Sequence, residues 1–151
     1  MRLISPHTII PVLVNDQDEA LQFYIEILGL EKRSDMTFGP GLRLLTVAPK
    51  GQQKPELALA KPDIPLYGET YVNELRGNQE HKLSSIFVTD DCQRSYTQLS
   101  ERGVTFISTP SKQLYGVEAV FRDPYGNAFS LLETNQGIRT LFKTMFIGTA
   151  A

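Results

Sequence analysis

Few side chains in this sequence are equipped for covalent chemistry. There are two histidines, His7 and His81, and a single cysteine, Cys92. A serine nucleophile needs a histidine held as its base. Neither histidine is placed to serve Ser84 or Ser130. Cys92 has no adjacent base and reads as a small packed side chain in a helix. Arg43 and Arg122 could each pair with a ligand carboxylate, although a solvent-facing or ion-paired arginine is the plainer reading. Tyr115, Tyr125 and Phe129 could stack on a flat ligand, with core packing the simpler role for Phe129 and a turn position for Tyr125. Gly39-Pro40-Gly41 reads as a hairpin turn and not as a phosphate-cradling loop opening a helix.

The elements that must carry these residues follow from pattern. Thr8 to Val14 is a β-branched, apolar strand. Pro11 inside it cannot donate a ladder hydrogen bond, which places that strand at an edge or Pro11 on an unpaired side. Asp16 and Glu19 form a capping-box pair. Ala20, Leu21, Tyr24, Ile27 and Leu28 follow at helical spacing, and Gly29 sits at the C-terminal cap. Strands are expected at Leu30–Met36, Leu42–Ala48 and Glu56–Lys61. Pro62 to Lys82 lacks a sustained period and reads as a linker, with one helical turn around Tyr71 to Leu75. Leu83–Thr89 is again a strand. Asp90 with Gln93 offers a second cap, Tyr96, Leu99 and Ser100 a helical stripe, and Gly103 its end. Val104–Ser108 is a strand, and Thr109-Pro110-Ser111 a turn. Gly116–Arg122 and Asn127–Glu133 form a hairpin about Asp123-Pro124-Tyr125-Gly126, whose residue types fit a type I turn.

This order repeats. Asp16 and Asp90 lie 74 positions apart, as do Gly29 and Gly103, and Ala58 and Ser130 lie 72 apart. A βαβββ module therefore occurs twice, an α+β arrangement of strands with one covering helix each. The modules fall at residues 1–61 and 83–134, joined by the 62–82 linker within one structural domain. A tail over 135–151 follows. Ile138, Leu141, Phe142 and Met145, with Phe146 beside them, are spaced as an apolar helical face that must be buried somewhere.

Composition narrows the function. The chain is 41% hydrophobic and 21% charged with a net charge of −2, ordinary for a soluble globular protein. No basic block suits nucleic acid or an anionic membrane. No apolar run approaches the ~18 residues of a membrane span, and Met1 to Thr8 lacks the apolar region of a signal peptide. One cysteine permits no internal disulfide. The expectation is a cytoplasmic protein.

The Asp123-Pro124-Tyr125-Gly126-Asn127 turn with its apolar following strand, the Phe23-Tyr24 pair and Leu28-Gly29-Leu30 together resemble the vicinal-oxygen-chelate superfamily. Glyoxalase I, extradiol dioxygenases, and fosfomycin and bleomycin resistance proteins belong to it. The resemblance covers roughly residues 8 to 134. It implies a glyoxalase-like open barrel built from tandem modules of mixed and antiparallel strands, and a homodimer with the tail at or near its interface. Metal-using members supply ligands from the first and last strand of each module. The matching positions here are Ile9, Ala58, Ser84 and Ser130, none an ordinary ligand for a divalent metal. A two-residue slip keeps the strand face and brings up His7 and Glu56. The plainer readings are a surface residue for His7 and a solvated strand end for Glu56. His81 and Glu133 have the opposite parity and should face away.

The resulting expectation is metal-independent binding of a small hydrophobic or aromatic ligand in a sheet-lined cup, with no cofactor. Its lining is Ile9, Pro11, Arg43, Ala58, Ser84, Ile86, Ser130 and Leu132. The alternative is a metal-dependent lyase or dioxygenase with a nonstandard site using His7 and Glu56. A third reading is a structural or regulatory subunit without a ligand, whose tail meets a protein partner.

Overall fold

The computed structural model describes residues 3–62 and 68–135. They divide into two compact units. The first runs to Lys82 and includes the turn Asp123–Asn127. The second takes Leu83–Arg122 and the chain from Ala128 onward.

The first unit holds β1 (Ile9–Leu13), α1 (Gln17–Leu21), β2 (Glu31–Thr37), β3 (Arg43–Ala48), β4 (Glu56–Ala60) and α2 (Glu69–His81). Its sheet has the order β1-β4-β3-β2. β1 pairs parallel to β4, and the other pairings are antiparallel. Pro11 lies on the edge strand, where a missing N–H breaks no ladder. Asp16 Oδ1 accepts from the Glu19 amide at 3.0 Å, the expected N-cap. The helix does not stay α-helical. From Gln22 to Ile27 it is π-wound, with the Leu28 amide donating to the Phe23 carbonyl at 3.0 Å. The wider turn lets Phe23 join Ala20 and Tyr24 in the core. Gly29, at φ 79°, ends it. Val12, Val14, Leu45, Val47, Leu57 and Leu59 complete this core. By alternation, Ile9, Pro11, Thr46, Glu56 and Ala58 face the other way. The segment expected as a linker contains the 13-residue α2. Among its described side chains Val72 is fully buried while Tyr71 is exposed. That explains why no apolar stripe announced it.

The second unit repeats the plan: β5 (Leu83–Val88), α3 (Cys92–Glu101), β6 (Thr105–Gln113), β7 (Gly116–Arg122) and β8 (Ala128–Thr134). The order β5-β8-β7-β6, with β5 parallel to β8, matches the first sheet strand for strand. Neither sheet closes on itself. The helix cap is Asp91, whose Oδ1 accepts from the Arg94 amide at 3.0 Å, and not Asp90. Cys92 takes the buried position, with Ser95, Tyr96 and Leu99 half-buried below it; Ser100 is exposed. Thr109-Pro110-Ser111 is no turn. β6 continues through it, with irregular register between Ser108 and Ser111, because β6 is an edge strand that tolerates proline. Phe87, Phe121 and Phe129 stack at centroid distances of 5.2 to 6.3 Å, and Phe106 links them to Tyr96. Phe129 is thus core, and burial raises the Cys92 thiol pKa. The tail positions Ile138, Leu141, Phe142, Met145 and Phe146 lie outside the described residues, as does the side chain of His81.

Candidate functional site

Each sheet has one face against its core and one turned away from it, an open face that is exposed along the edge strand and buried at its centre. On the open face of the first sheet, Thr46 on β3 stands opposite Ala58 on β4. The Thr46 hydroxyl donates to Glu56 Oε1 at 2.6 Å. His7 Nε2 lies 3.2 Å from Glu56 Oε2. The two residues singled out by the two-residue slip are therefore adjacent. Glu56 is buried, not a solvated strand end. Ile9 is exposed on β1, Pro11 pairs with Ala58, and Ala58 is half-buried.

Arg43 is elsewhere. It shares its parity with Leu45 and Val47, so it lies on the helix side of β3. Its guanidinium bonds Asp35 twice, at 2.8 and 2.9 Å, and Asp18 at 2.8 Å. The Arg43 hydrogen bond holds the Asp35 carboxyl down at about 2. The structure does not bring Arg43 together with Ala58.

On the open face of the second sheet, Ser130 on β8 lies between Ile86 on β5 and Val120 on β7. Leu132 pairs with Val88 on one side and Glu118 on the other. Ser130 and Leu132 are buried, whereas Ile86 is 52% and Val88 64% exposed. Ser84 falls in a register irregularity of β5 between Leu83 and Ser85 and is half-buried. Sequence reasoning missed Glu118. The Ser130 hydroxyl donates to its Oε2 at 2.6 Å and the Tyr115 phenol to its Oε1 at 2.9 Å. That bond raises the Tyr115 pKa, so the phenol keeps its proton. The only signal was a glutamate at strand spacing amid apolar neighbours. Glu133 lies on the core side, where it accepts from the Cys92 amide at 2.9 Å.

The turn Asp123–Asn127 is a third polar centre, within the first unit. Asp123 Oδ1 accepts from the Tyr125 and Asn127 amides at 2.9 and 2.8 Å. Its Oδ2 accepts from the Tyr24 hydroxyl at 2.6 Å and Asn127 Nδ2 at 2.7 Å. Asn127 Nδ2 also donates to the Leu13 carbonyl at 2.7 Å. Burial raises the Asp123 pKa, although all four donors oppose it. Burial also pushes Tyr24 well up, with Asp123 reinforcing. Every acceptor here is occupied, so the centre reads as architecture. A shallow groove of about 460 Å³ lined by Asp18, Leu21, Gln22, Ile25, Glu26 and Lys32 follows the helix of the first unit. It contains none of the expected site residues.

His7 and Glu56 supply two ligands, and Glu56 is already engaged by Thr46. Among the described residues no three His, Cys, Asp or Glu side chains converge. Tight sites need more.

Two βαβββ modules with these faces define a known class. The chain belongs to the Glyoxalase/Bleomycin resistance protein/Dioxygenase superfamily, whose model matches residues 5–131. It is 34% identical over 128 residues to an uncharacterized protein of Shewanella frigidimarina (strain NCIMB 400), covering 83% of this chain and 91% of that one. Among solved structures it is similar to UcmS2, with 41% identity and a TM-score of 0.73 over 87% of this chain and 98% of the other. It is also similar to TnmS3, an antibiotic binding protein from Streptomyces sp. CB03234. That match has 29% identity and a TM-score of 0.67, over 89% and 100% of the two chains.

Proposed function

We propose that this protein binds a small molecule with a hydrophobic or aromatic body on the open sheet faces, with no catalytic metal. One observation carries the reading: Ile86 and Val88 stand exposed on a sheet face beside the buried Ser130 and Leu132. Branched aliphatics around a single hydroxyl-bearing centre are what an apolar ligand with one oriented polar group requires. The similarity to TnmS3 supports it, since that relative binds an antibiotic.

Covering two half-exposed aliphatic side chains contributes roughly 1 kcal/mol each. Micromolar affinity is about 8 kcal/mol net, after an association cost of several more. The ligand must therefore be broad enough to cover Val120 as well. Ile9, Pro11 and Ala58 offer a second apolar surface of the same kind in the first unit. The protein acts as a cytoplasmic homodimer in this proposal.

The test is a thermal-shift screen of aromatic natural products after dialysis against EDTA, repeated on Ile86→Asp and Val88→Asp. Hits that persist without metal and vanish in both variants support the reading. Stabilisation only by added Ni, Zn, Mn or Fe, abolished by His7→Ala or Glu56→Ala, would replace it with the metal-dependent lyase or dioxygenase alternative. The proximity of His7 to Glu56 is the observation favouring that alternative.

A further inference from the structure

Glu118 has a role that packing alone does not explain. It projects from β7 on the same open face as Val120, between Leu132 of β8 and Ser111 of β6. Two neutral hydroxyls hold it, one on each oxygen: Ser130, fully buried, and Tyr115, partly exposed. Both hydroxyls donate, so the carboxylate acts purely as an acceptor. An ionised carboxylate offers about four acceptor positions. Two are filled, and no lysine or arginine is paired with Glu118 among the described residues. A half-buried carboxylate without a cation is ordinarily costly. Here it is held at both oxygens by hydroxyls and keeps acceptor capacity.

The other carboxylates differ. Asp35 is saturated by Arg43 and Lys32, Asp123 by four donors, and Glu56 carries His7 on its second oxygen. Glu118 alone among these four is held by hydroxyls on both oxygens with no cationic or saturating partner.

We infer that Glu118 is a specificity-determining residue that takes a protonated amine, amidinium or guanidinium carried by the apolar ligand. This rests on the small-molecule reading above and narrows its ligand class to cationic amphiphiles. Ile86, Val88, Val120 and Leu132 would cover the ligand body, while Ser130 and Tyr115 keep the carboxylate aimed. A charge-assisted hydrogen bond in such a setting contributes about tenfold or more in affinity.

The experiment uses the full chain with methyl-labelled isoleucine and valine. Its probes are 1-naphthylmethylamine, N-acetyl-1-naphthylmethylamine and 1-naphthoate, titrated against wild type and Glu118→Gln. The amide keeps one acceptor for the hydroxyl clasp but removes the charge. The expected result is that the amine shifts the Ile86 and Val88 methyls at roughly tenfold lower concentration than the acetamide, and the naphthoate binds weakest. In Glu118→Gln amine and acetamide become equal, while the acetamide's own affinity is unchanged. The amine preference also shrinks with added salt. Equal binding of amine and acetamide to wild type overturns the role of Glu118 and leaves the apolar face standing as a ligand site. A preference that survives in Glu118→Gln overturns it too. If none of the probes moves those methyls at millimolar concentration, both the face and the carboxylate are dismissed. Should Glu118→Gln unfold, Ser130→Ala with Tyr115→Phe keeps the charge but frees its orientation. The amine preference should then weaken, and an undiminished preference counts against the clasp.

Discussion

At the scale of single residues, Gly116 and Asp123 are the positions least open to substitution. Gly116 has φ 147°, and a Cβ there would lie 2.0 Å from the Glu133 carbonyl oxygen. Backbone atoms of a paired strand cannot yield that distance cheaply. Gly116→Ala should destabilise by about 2–4 kcal/mol, from backbone strain and overpacking together, seen as a lower urea midpoint. Asp123 titrates above its ordinary value because burial outweighs its donors. A raised carboxyl pKa means the folded state favours the proton, so stability falls as pH rises from about 3.8 through the folded value. The Tyr24 hydroxyl opposes this by bonding the charged form. Tyr24→Phe should therefore cost about 1.5–3 kcal/mol at pH 7 and progressively less toward pH 4. Urea melts across that range check it, and a cost independent of pH would mean that Asp123 does not change protonation state between pH 4 and 7. The turn types and the Phe23-Tyr24 pair were legible in the chain. Their hydrogen bond was not, because the partners are 99 positions apart.

At the scale of elements, the repeat was readable because caps and terminal glycines are local chemistry. Asp16, Gly29 and Gly103 hold the places their types suggest. What escaped was whatever tertiary context decides. Pro110 looked like a turn and is tolerated on an edge strand. Asp91 outcompetes Asp90 as cap because Thr89 Oγ1 accepts from the Asp91 amide at 3.2 Å. α2 has little apolar stripe to betray it, and nothing local marks the π-winding after Leu21. Arg43 is a miss of another kind: strand parity, legible in the sequence, already sets it on the side of Leu45 and away from Ala58. There it ties β2, β3 and α1 together through Asp35 and Asp18. Asp35, held at about 2, adds stability above its unfolded value of 3.8 that disappears as pH falls toward 2. In a carboxyl-carbon NMR titration Asp35 should show a midpoint near 2. Arg43→Gln should return it toward 3.8, since the arginine is the largest cause of the shift. An unchanged midpoint would remove the pair from any account of acid stability.

At the scale of the whole molecule, the two sheets share strand order and a hydroxyl-held glutamate on the open face. The clasps are Thr46 on Glu56 and Ser130 on Glu118. The glutamates are not at equivalent strands, since Glu56 lies on β4 and Glu118 on β7. The resemblance assigns the metal-ligand positions to Ile9, Ala58, Ser84 and Ser130. The contact of Glu118 with Ser130 was not legible, because Glu118 reaches it from a neighbouring strand. The two units therefore differ in chemistry more than in topology, with an imidazole on one carboxylate and a phenol on the other. If binding depends on Glu118 and an apolar face, stabilisation by ligand should be indifferent to metal. A ligand at 100 times its Kd adds about 2.7 kcal/mol, which for a chain of this size raises Tm by roughly 5–10 °C. That rise should be the same in EDTA as in added Zn, Mn, Ni or Fe, and unchanged in His7→Ala. It should fall by more than half in Ile86→Asp, where a carboxylate is set against the ligand body. A rise that needs metal and is lost in His7→Ala would locate the function on the first sheet, at Glu56, and make the second sheet's carboxylate incidental.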